Sequence, residues 1–435
     1  MALLDFENRG IFFPDVHNSF KFSAFVATGP KRNADSALCG FFLTGTEATA
    51  LASGSTPAFS GHESERIFPL SPGEFALVNP NTGTAPIFRT RRDAELTTAI
   101  YERLPILVHR DDDGEILENA WPVRYLRMFD MTNDSHLFWT KERLEMEKAY
   151  PVAGGRWQKG KQLFVPLYVG KTVHQYDHRA ASVGINPKNV HVAGYSDETS
   201  LSEHQDFNFS AAPQYWVDFS AIEWPSKVNW CFAFRDIARS TDERTFIGTI
   251  VPKGAYGNTL PLVLSDDPDA LVFLAGNWSS VALDYVARQK TQSTHLNWYI
   301  VEQLPVVPQA DYARKFGART AAETVRDHVL RLSYTAHDLA DFARDMGHVD
   351  KQTGKVLPPF QWDEEERAHL RARLDALYFL LYGITNRDDV RYILDTFPIV
   401  KRDDEKEFGR YRTADLILAY MNALEAGDAE TKVAL

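Results

Sequence analysis

The chain contains little cysteine and no long apolar run. Its 435 residues include only two cysteines, Cys39 and Cys231, which lie far apart and therefore fit neither a zinc-ligand spacing nor a small disulfide scaffold. No run of about eighteen consecutive apolar residues occurs, so a membrane-spanning helix is not expected. Residues 1–6 lack the basic and apolar regions of a secretory signal. We therefore expect a cytoplasmic protein whose cysteines are buried as small hydrophobic side chains.

The composition excludes a disordered chain and a strongly basic one. Hydrophobic residues make up 44% and charged residues 24% of the chain, as in ordinary globular proteins. The formal net charge is −12 at pH 7, which argues against a nucleic-acid binder held by an overall positive field. Residues 151–310 have the smallest acidic excess, with 13 lysines and arginines against 15 acids. Nucleic-acid binding would therefore need one face that concentrates the cations.

A change of residue pattern along the chain predicts an α+β fold. Short alternating or apolar runs predict strands at residues 11–13, 20–26, 164–169, 230–234 and 245–251. Longer periodic runs predict helices at residues 91–103, 135–150, 279–288, 321–347, 363–383 and 413–426. Thr90 and Asp93 form a capping-box pattern before the first of these helices, and Gly383 is expected to cap the fifth at its C-terminus. An irregular stretch is expected at residues 44–61.

This pattern divides the chain into three predicted domains, in line with about 150 residues per domain. Residues 1–110 form the first, residues 111–310 a domain with a mixed β-sheet, and residues 311–435 a helical domain. The acidic turn at residues 111–114 marks the first boundary, and the helical pattern that starts near Asp311 marks the second.

Possible catalytic or metal-binding motifs are weak. His174, Asp177 and His178 form the densest cluster of potential metal ligands, because histidines four positions apart can share one helix face. No further ligand cluster with a matching spacing follows, so a hydrogen-bonded turn is the better interpretation and no metal is predicted. No phosphate-binding loop, dinucleotide fingerprint, nucleophile elbow or metalloprotease helix is present.

Two other fragments only faintly suggest catalysis. Leu357-Pro358-Pro359-Phe360 has the form of an amino-methyltransferase tetrapeptide, but leucine cannot hold the target amino group as an amide or carboxylate would. Asp404-Glu405-Lys406 matches the end of a nuclease carboxylate–lysine motif and leaves a nuclease as a weak third hypothesis. It lies in a charged run with no preceding strand, and a solvated loop is favoured.

A binding surface is better supported than an active site, because long cations occur beside aromatic and amide side chains in the middle of the chain. Such side chains contact phosphates and base edges in protein–DNA complexes. An ordinary solvated surface is the alternative. The candidate DNA-binding residues are Arg156, Lys159, Lys161, Lys171, Arg235, Arg239, Arg244, Lys253, Arg288 and Lys290.

Several segments, in order along the chain, resemble adenine-N6 DNA methyltransferases that carry their own target recognition domain. This group includes fused restriction–modification enzymes and the methylases of the DISARM and BREX phage-defence systems. The resemblance extends from residue 5 to about residue 412. The matching segments begin with Phe-Glu-Asn-Arg at residues 6–9 and close with Glu-Gln-Leu-Pro-Val at residues 302–306, which is also similar to the end of a recognition domain in type I specificity subunits. The other matching segments are residues 12–14, 20–22, 81–89, 165–168, 171, 175–179, 234–239, 243–245, 283–290 and 294–297.

The resemblance implies a specificity half without a methyl-transfer half. In such enzymes the S-adenosylmethionine-binding strand and the catalytic tetrapeptide precede the Phe-Glu-Asn-Arg segment, so residues 1–28 would correspond to the last hairpin of the methyltransferase sheet. It implies a double-stranded DNA partner, a recognition domain at residues 111–310, and a separate methyltransferase chain that docks on residues 1–28. The cofactor S-adenosylmethionine is then expected on that partner, with no cofactor or catalytic residue here.

Three interpretations remain open for function. The main one is a DNA recognition subunit in which Lys171, Arg288 and Lys290 contact phosphates, while Arg235, Arg239 and Arg244 contact DNA or pair with Asp236 and Glu243. The second is an interaction scaffold derived from such a domain that binds no DNA, in keeping with the acidic charge. The third is the nuclease above.

The first testable prediction follows from the missing cofactor motif. The purified chain should neither bind S-adenosylmethionine nor methylate DNA, because it has no glycine-rich cofactor loop and no catalytic tetrapeptide. Calorimetric titration with the cofactor measures this directly. Saturable binding in the micromolar range, a binding free energy of about −8 kcal/mol, would contradict it.

Overall fold

The computed structural model describes residues 1–18, 20–29, 32, 34–45, 65–185, 194–291 and 294–434. Most of the irregular stretch expected at residues 44–61 lies outside them. The chain forms two compact units. Unit 1 contains residues 1–118 and 302–305, and unit 2 contains residues 119–301 and 306–435.

Unit 1 is built on a four-stranded mixed sheet. Its elements are β1 (Ala2–Glu7), β2 (Lys21–Val26), β3 (Ala37–Leu43), β4 (Ile67–Leu70), α1 (Pro72–Val78), α2 (Arg91–Arg103), β5 (Val108–Arg110) and β6 (Ile116–Asn119). The strand order in the main sheet is β2-β1-β3-β4, and β5 pairs with β6. β1 is antiparallel to β2 and parallel to β3, so β1 is an interior strand and β2 lies at the edge.

An aromatic cluster holds the first two strands together. The Phe6 and Phe22 rings stack with centroids 5.3 Å apart, and Phe12 meets Phe22 edge-on at 5.0 Å. The turn between the strands is closed by Asn8, whose side-chain oxygen accepts a hydrogen bond from Phe13 N at 2.8 Å. Asn8 Nδ2 also donates to Val16 O at 2.8 Å. These bonds satisfy backbone groups that have no strand partner.

The returning segment 302–305 closes unit 1 against α2 and β5. Tyr101 Oη donates to Gln303 O at 2.8 Å, and Arg110 forms an ion pair with Glu302 at 3.0 Å. Glu302 is nearly buried, so its charge is compensated where water is largely absent. This explains why a segment far along the chain belongs to the first unit.

Unit 2 contains two larger sheets and two short hairpins. The five-stranded sheet has the order β13-β10-β9-β8 with β16 beside β10, and the four-stranded sheet has the order β15-β14-β17-β7. The strands are β7 (Arg124–Leu126), β8 (Tyr150–Val152), β9 (Arg156–Lys159), β10 (Gln162–Tyr168), β11 (Ala181–Gly184), β12 (Tyr195–Glu198), β13 (Tyr215–Asp218), β14 (Trp230–Phe234), β15 (Gly248–Pro252), β16 (Ala255–Tyr256), β17 (Leu262–Leu264), β18 (Lys315–Phe316) and β19 (Arg319–Thr320).

The helices of unit 2 lie mainly in its C-terminal part, so the fold is α+β with a helical C-terminal region, as predicted. The helices are α3 (Lys141–Met146), α4 (Leu201–Gln205), α5 (Pro268–Trp278), α6 (Val281–Lys290), α7 (Trp298–Val301), α8 (Ala321–Ser333), α9 (Ala340–Asp345), α10 (Glu364–Leu381), α11 (Arg387–Asp395), α12 (Pro398–Phe408) and α13 (Arg412–Glu425).

The domain boundary expected near residue 310 falls inside unit 2. Buried polar contacts join the helices on its two sides. Asp375 on α10 accepts a hydrogen bond from Val281 N, the first residue of α6, at 2.7 Å. Asn277 on α5 donates to Tyr382 Oη, just after α10, at 2.6 Å. Because buried polar groups need their partners, the helical region and the preceding sheets form one unit.

Long periodic segments were predicted best. α2 begins and ends where the pattern placed it, and Thr90 and Asp93 form the expected reciprocal capping box. Gly383 follows α10 with φ +79°, a left-handed conformation that glycine adopts readily. Both cysteines are buried and free, as expected.

Three sequence-based predictions are wrong. The helix expected over residues 321–347 is broken into α8 and α9, with a 3₁₀ turn at His337–Leu339 between them. Residues 11–13 form a turn around Asn8, and the strand lies instead at Ala2–Glu7. The helix expected over residues 135–150 is interrupted, leaving a 3₁₀ turn at Ser135–Leu137 and the short α3. Trp139 N and O both bond to Trp216, so tertiary pairing replaces the helical hydrogen bonds at this position.

Within the described residues, no single helix combines the length and apolar character needed to cross a bilayer, whereas the bent pair α5 and α6 would pass by length and composition together.

Candidate nucleic-acid interface

A cavity of about 760 Å³ opens in unit 2 where several separate segments of the chain meet. Lys171, in the turn after β10, and Arg235, just after β14, line it together. Other parts of its wall come from residues 131–138, the start of β13 and Thr259. We call it the cationic cavity.

The turn that carries Lys171 depends on a close backbone approach. Gly170 N donates to Thr259 Oγ1 at 3.1 Å. A Cβ atom at Gly170 would lie 2.6 Å from Thr259 O, a distance that real Cβ contacts do not reach. Only glycine fits here without displacing the backbone, and this contact places Lys171 at the cavity wall.

Neither cation of the cavity pairs with a carboxylate among the described residues. Lys171 Nζ donates to Gly194 O, and Arg235 Nε donates to Val173 O at 2.9 Å. Among the described residues that line the cationic cavity, none is aspartate or glutamate. Burial lowers the pKa of the Arg235 guanidinium, which Asp242 and Glu243 oppose only at longer range. An anion that entered the cavity would therefore meet two positive charges that have no direct carboxylate partner among the described residues.

Apolar and aromatic side chains form the remaining wall. The rings of Phe138 and Tyr215 lie side by side with centroids 5.6 Å apart. Met131 and Val169 also line the cavity, and Ile237 stands at its open side with 52% of its surface exposed. The cavity thus combines a positive wall with an apolar one.

An exposed basic and aromatic surface continues from the cavity along residues 235–239. Asp236, next to Arg235 in the chain, pairs with His295 Nδ1 at 2.9 Å and with Arg127 at 3.7 Å. Nearby on this side, Tyr125 stacks on Trp298 with centroids 4.7 Å apart, and Tyr299 is 54% exposed. Cations beside exposed aromatic rings are side chains that can contact phosphates and unstacked bases.

A second cavity of about 560 Å³ in unit 2 has the opposite character. Its wall holds three arginines and seven acids, and we call it the acidic cavity. The acids are Glu243, Glu364, Glu365, Asp375, Asp403, Asp404 and Glu407. Like-charge repulsion excludes a phosphate backbone from such a site.

Arg244 belongs to this acidic cavity and is engaged by protein groups. It pairs with the fully buried Asp284 at 2.7 Å and donates to Ser279 O at 2.6 Å. The sequence-based alternative that Arg244 pairs with Glu243 is replaced by this contact with α6. We therefore remove Arg244 from the DNA-contact candidates.

Arg288 and Lys290 on α6 also have structural positions. Arg288 donates to Thr396 O at 2.8 Å and to the carbonyl oxygens of Asp242 and Glu243 at 2.7 Å each. Lys290 is only 8% exposed, and burial lowers the pKa of its ammonium group well below the usual value. These placements correct the expectation that both side chains reach phosphates, because their charged groups face protein.

The other predicted cations lie at the surface but do not form one cluster with the cavity. Lys159 on β9 pairs with Glu147 at 2.7 Å, and Arg156 donates to Ala153 O at 2.7 Å. Lys161, Arg239 and Lys253 are exposed. Of the ten predicted residues, Lys171 and Arg235 are brought together in the cationic cavity, and Arg239 lies on the adjoining surface.

The histidine cluster is a buried hydrogen-bonding network. His174 and His178 lie in a turn, so they do not share a helix face. His178 pairs with Asp338 at 2.9 Å and Asp177 pairs with His204 at 2.9 Å. No group of three or more histidine, cysteine or acidic side chains in the described chain is arranged to hold a metal ion. The interpretation as a hydrogen-bonded turn fits this geometry.

The charged run around Asp404 also has a structural explanation. Asp404 lies on α12, and its carboxylate accepts a hydrogen bond from Thr413 N, the second residue of α13. A nuclease motif would place its acid and lysine beside a strand. The helix therefore does not support the nuclease hypothesis.

Several residues of the candidate interface were not identified from sequence. Phe138, Tyr215 and Arg127 do not lie in the cation-rich segments from which the candidates were chosen. Met131 and Gln214 carry no charge and were not considered. Tertiary packing brings Phe138, Tyr215, Met131 and Gln214 to one cavity, and it places Arg127 beside Asp236 on the adjoining surface.

No protein-family model matches the chain, and no curated protein is detectably similar to it.

The acidic cavity predicts how the stability of the protein depends on pH. Burial raises the pKa of the Asp375 carboxyl from 3.8 to about 6, so the folded protein binds this proton more tightly than the unfolded chain does. The contribution of Asp375 to the free energy of unfolding should therefore fall as the pH rises from about 4 to about 6. Asp375→Asn removes that dependence while keeping an oxygen for Val281 N.

Relative to the native protein, Asp375→Asn should gain about 3 kcal/mol of stability between pH 4 and pH 7. Denaturant unfolding followed by tryptophan fluorescence measures this, because all nine tryptophans lie in unit 2. The matched control is Asp388→Asn, since the Asp388 side chain is 83% exposed. A stability difference for Asp375→Asn that stays constant with pH would contradict the prediction.

Proposed function

We propose that this chain is a DNA target-recognition subunit that works with a separate adenine-N6 DNA methyltransferase in a restriction–modification or phage-defence system. The observation that carries the proposal is the cationic cavity, whose described lining residues include Lys171 and Arg235 and no acid. In a chain with a net charge of −12, such a local exception needs a physical reason. An anionic ligand supplies one.

DNA phosphate fits the chemistry of this site. A guanidinium and an ammonium group that lack carboxylate partners form strong charge-assisted hydrogen bonds with phosphate oxygens. The adjoining surface offers Arg127, which is 46% exposed, together with Arg239 and Tyr299. These side chains extend the contact along a nucleic-acid strand. The acidic cavity would lie outside the DNA path.

The proposed partner chain fits the edge of the unit 1 sheet. β2 has β1 on one side and no strand on the other within the described residues. Phe20, Phe25 and Val26 at this edge are 63%, 70% and 62% exposed. Unpaired apolar edges invite pairing with another chain, and strand addition by a methyltransferase sheet would cover this one. S-adenosylmethionine would then be held by that partner.

The interaction scaffold remains the second candidate, and the exposed β2 edge favours it as well. A scaffold that binds no DNA would use this edge. It would not explain why two cations lie together in a cavity whose described lining contains no acid. DNA binding that depends on Lys171 therefore separates the two candidates.

The DNA proposal predicts a uniform effect of Lys171→Ala. Binding to duplexes of different sequence should weaken by roughly 1 kcal/mol, about fivefold, and the slope of log affinity against log salt should fall by about one unit. Fluorescence anisotropy with labelled duplexes at several salt concentrations measures both. The control Lys351→Ala removes the same charge from an exposed turn. An unchanged slope in a folded Lys171 variant would overturn this role.

The partner proposal predicts that a charge on the β2 edge blocks association. Phe25→Lys should abolish co-purification with a methyltransferase that lacks its own recognition domain, because an inserted lysine discourages strand addition. Deleting residues 1–28 is less informative, since it removes the interior strand β1. The control Ile116→Lys alters another exposed strand residue of unit 1, which is 53% exposed. Equal recovery of both variants would place the interface elsewhere.

A further inference from the structure

The cationic cavity is larger than a phosphate contact requires. Its volume of about 760 Å³ is typical of pockets that enclose a whole small molecule. A backbone phosphate at the opening of the cavity would contact Lys171 and Arg235 only, and the apolar part of the cavity would stay empty. The ligand should therefore have an apolar portion as well as an anionic one.

The apolar portion should be flat and aromatic. Tyr215 is partly exposed and Phe138 is 7% exposed; their rings, tilted by 31° with centroids 5.6 Å apart, line the side of the cavity built from residues 131–138 and β13. Aromatic side chains of this kind stack on nucleobases with little sequence preference. Met131 and Val169 complete an apolar surface against which a planar ring can lie.

Polar groups also line the cavity where a ring edge could be recognised. Gln214 contributes an amide, and Thr259 contributes a hydroxyl that accepts from Gly170 N at 3.1 Å. An amide can both donate to and accept from a base edge. A fatty-acid anion would match the cations and the apolar wall, but its chain offers no donor or acceptor for these polar groups to recognise.

We propose that the cationic cavity binds one nucleotide, with its base against Phe138 and Tyr215 and its phosphate at Lys171 and Arg235. The nucleotide is either turned out of a bound DNA strand or free in solution. The first source rests on the proposed function, and the second does not.

Two experiments on the full chain distinguish the sources. The first is calorimetric titration with deoxyadenosine monophosphate, with inorganic phosphate as the comparison. The second compares a matched duplex with a duplex in which one adenine faces an abasic site, because an unpaired base costs less to unstack. We expect the nucleotide to bind at least about tenfold more tightly than phosphate, since stacking adds to the charge contact. The protein should bind the abasic duplex more tightly than the matched duplex by a similar factor.

Three variants test the geometry. Tyr215→Leu keeps an apolar side chain but loses the stacking ring, and it should remove both preferences, whereas Tyr215→Phe should retain them. Ile237→Glu puts a carboxylate at the open side of the cavity and should weaken nucleotide binding. Because Ile237 is 52% exposed, this variant tests the site even if changes at Tyr215 disturb folding.

The outcomes separate this proposal from the proposed function. A duplex preference without binding of the free nucleotide supports the DNA strand as the source, and the reverse result supports a free nucleotide. Nucleotide binding without any duplex binding supports the cavity proposal while overturning DNA recognition. The protein could also bind duplexes through Lys171 while preferring neither the nucleotide over phosphate nor the abasic duplex over the matched one. That result overturns the cavity proposal and leaves DNA recognition in place.

Discussion

The fully buried carboxylate of Asp284 on α6 fixes the segment that joins β14 to β15. It accepts hydrogen bonds from Thr245 N at 2.9 Å and Phe246 N at 3.0 Å, and it pairs with Arg244 at 2.7 Å. Arg288, one turn further along α6, holds two carbonyl oxygens of the same segment. Removing one partner from such a buried network leaves uncompensated charge, which costs several kcal/mol.

This network determines where the candidate interface can form. The segment that it holds begins with Arg235, and Ile237 and Arg239 follow within the same connection. Leu296 N also donates to Asp236 O at 2.7 Å, so the segment is held on the side of α7 as well. The charged groups of α6 therefore act indirectly, because they position the residues that are exposed to a ligand. Two cations predicted to touch DNA, Arg244 and Arg288, instead support the candidate interface in this structural way.

The separation of charge within unit 2 follows from the same packing. Acids on α10 and α12 and Glu243 surround the acidic cavity, while the described lining of the cationic cavity contains none. A net charge averaged over the chain hides this difference. Electrostatic recognition depends on the local field, so an acidic protein can still present a site for an anion. Within the acidic cavity, burial raises the pKa of Asp375, whereas the exposed Asp403 has a lowered pKa because Arg402 lies beside it.

The features that could be predicted from the sequence are local ones. The Thr90–Asp93 capping box, the glycine after α10 and the long helical runs were predictable, because neighbouring residues form these features. The same holds for the α+β class and the buried cysteines. The turn around Asn8 was mispredicted, since its hydrogen bonds outweigh the strand preference of Ile11, Phe12 and Phe13.

Which cations a ligand could reach depends on tertiary packing. Lys171 and Lys290 look alike in sequence, yet one lines a cavity and the other is buried at the end of α6. Phe138, Tyr215 and Arg235 lie in three distant segments and meet only in the folded structure. A side chain's charge is a property of the residue, whereas its exposure and its partners arise from packing between segments remote in the chain. For that reason the candidate site could not be read from the sequence alone.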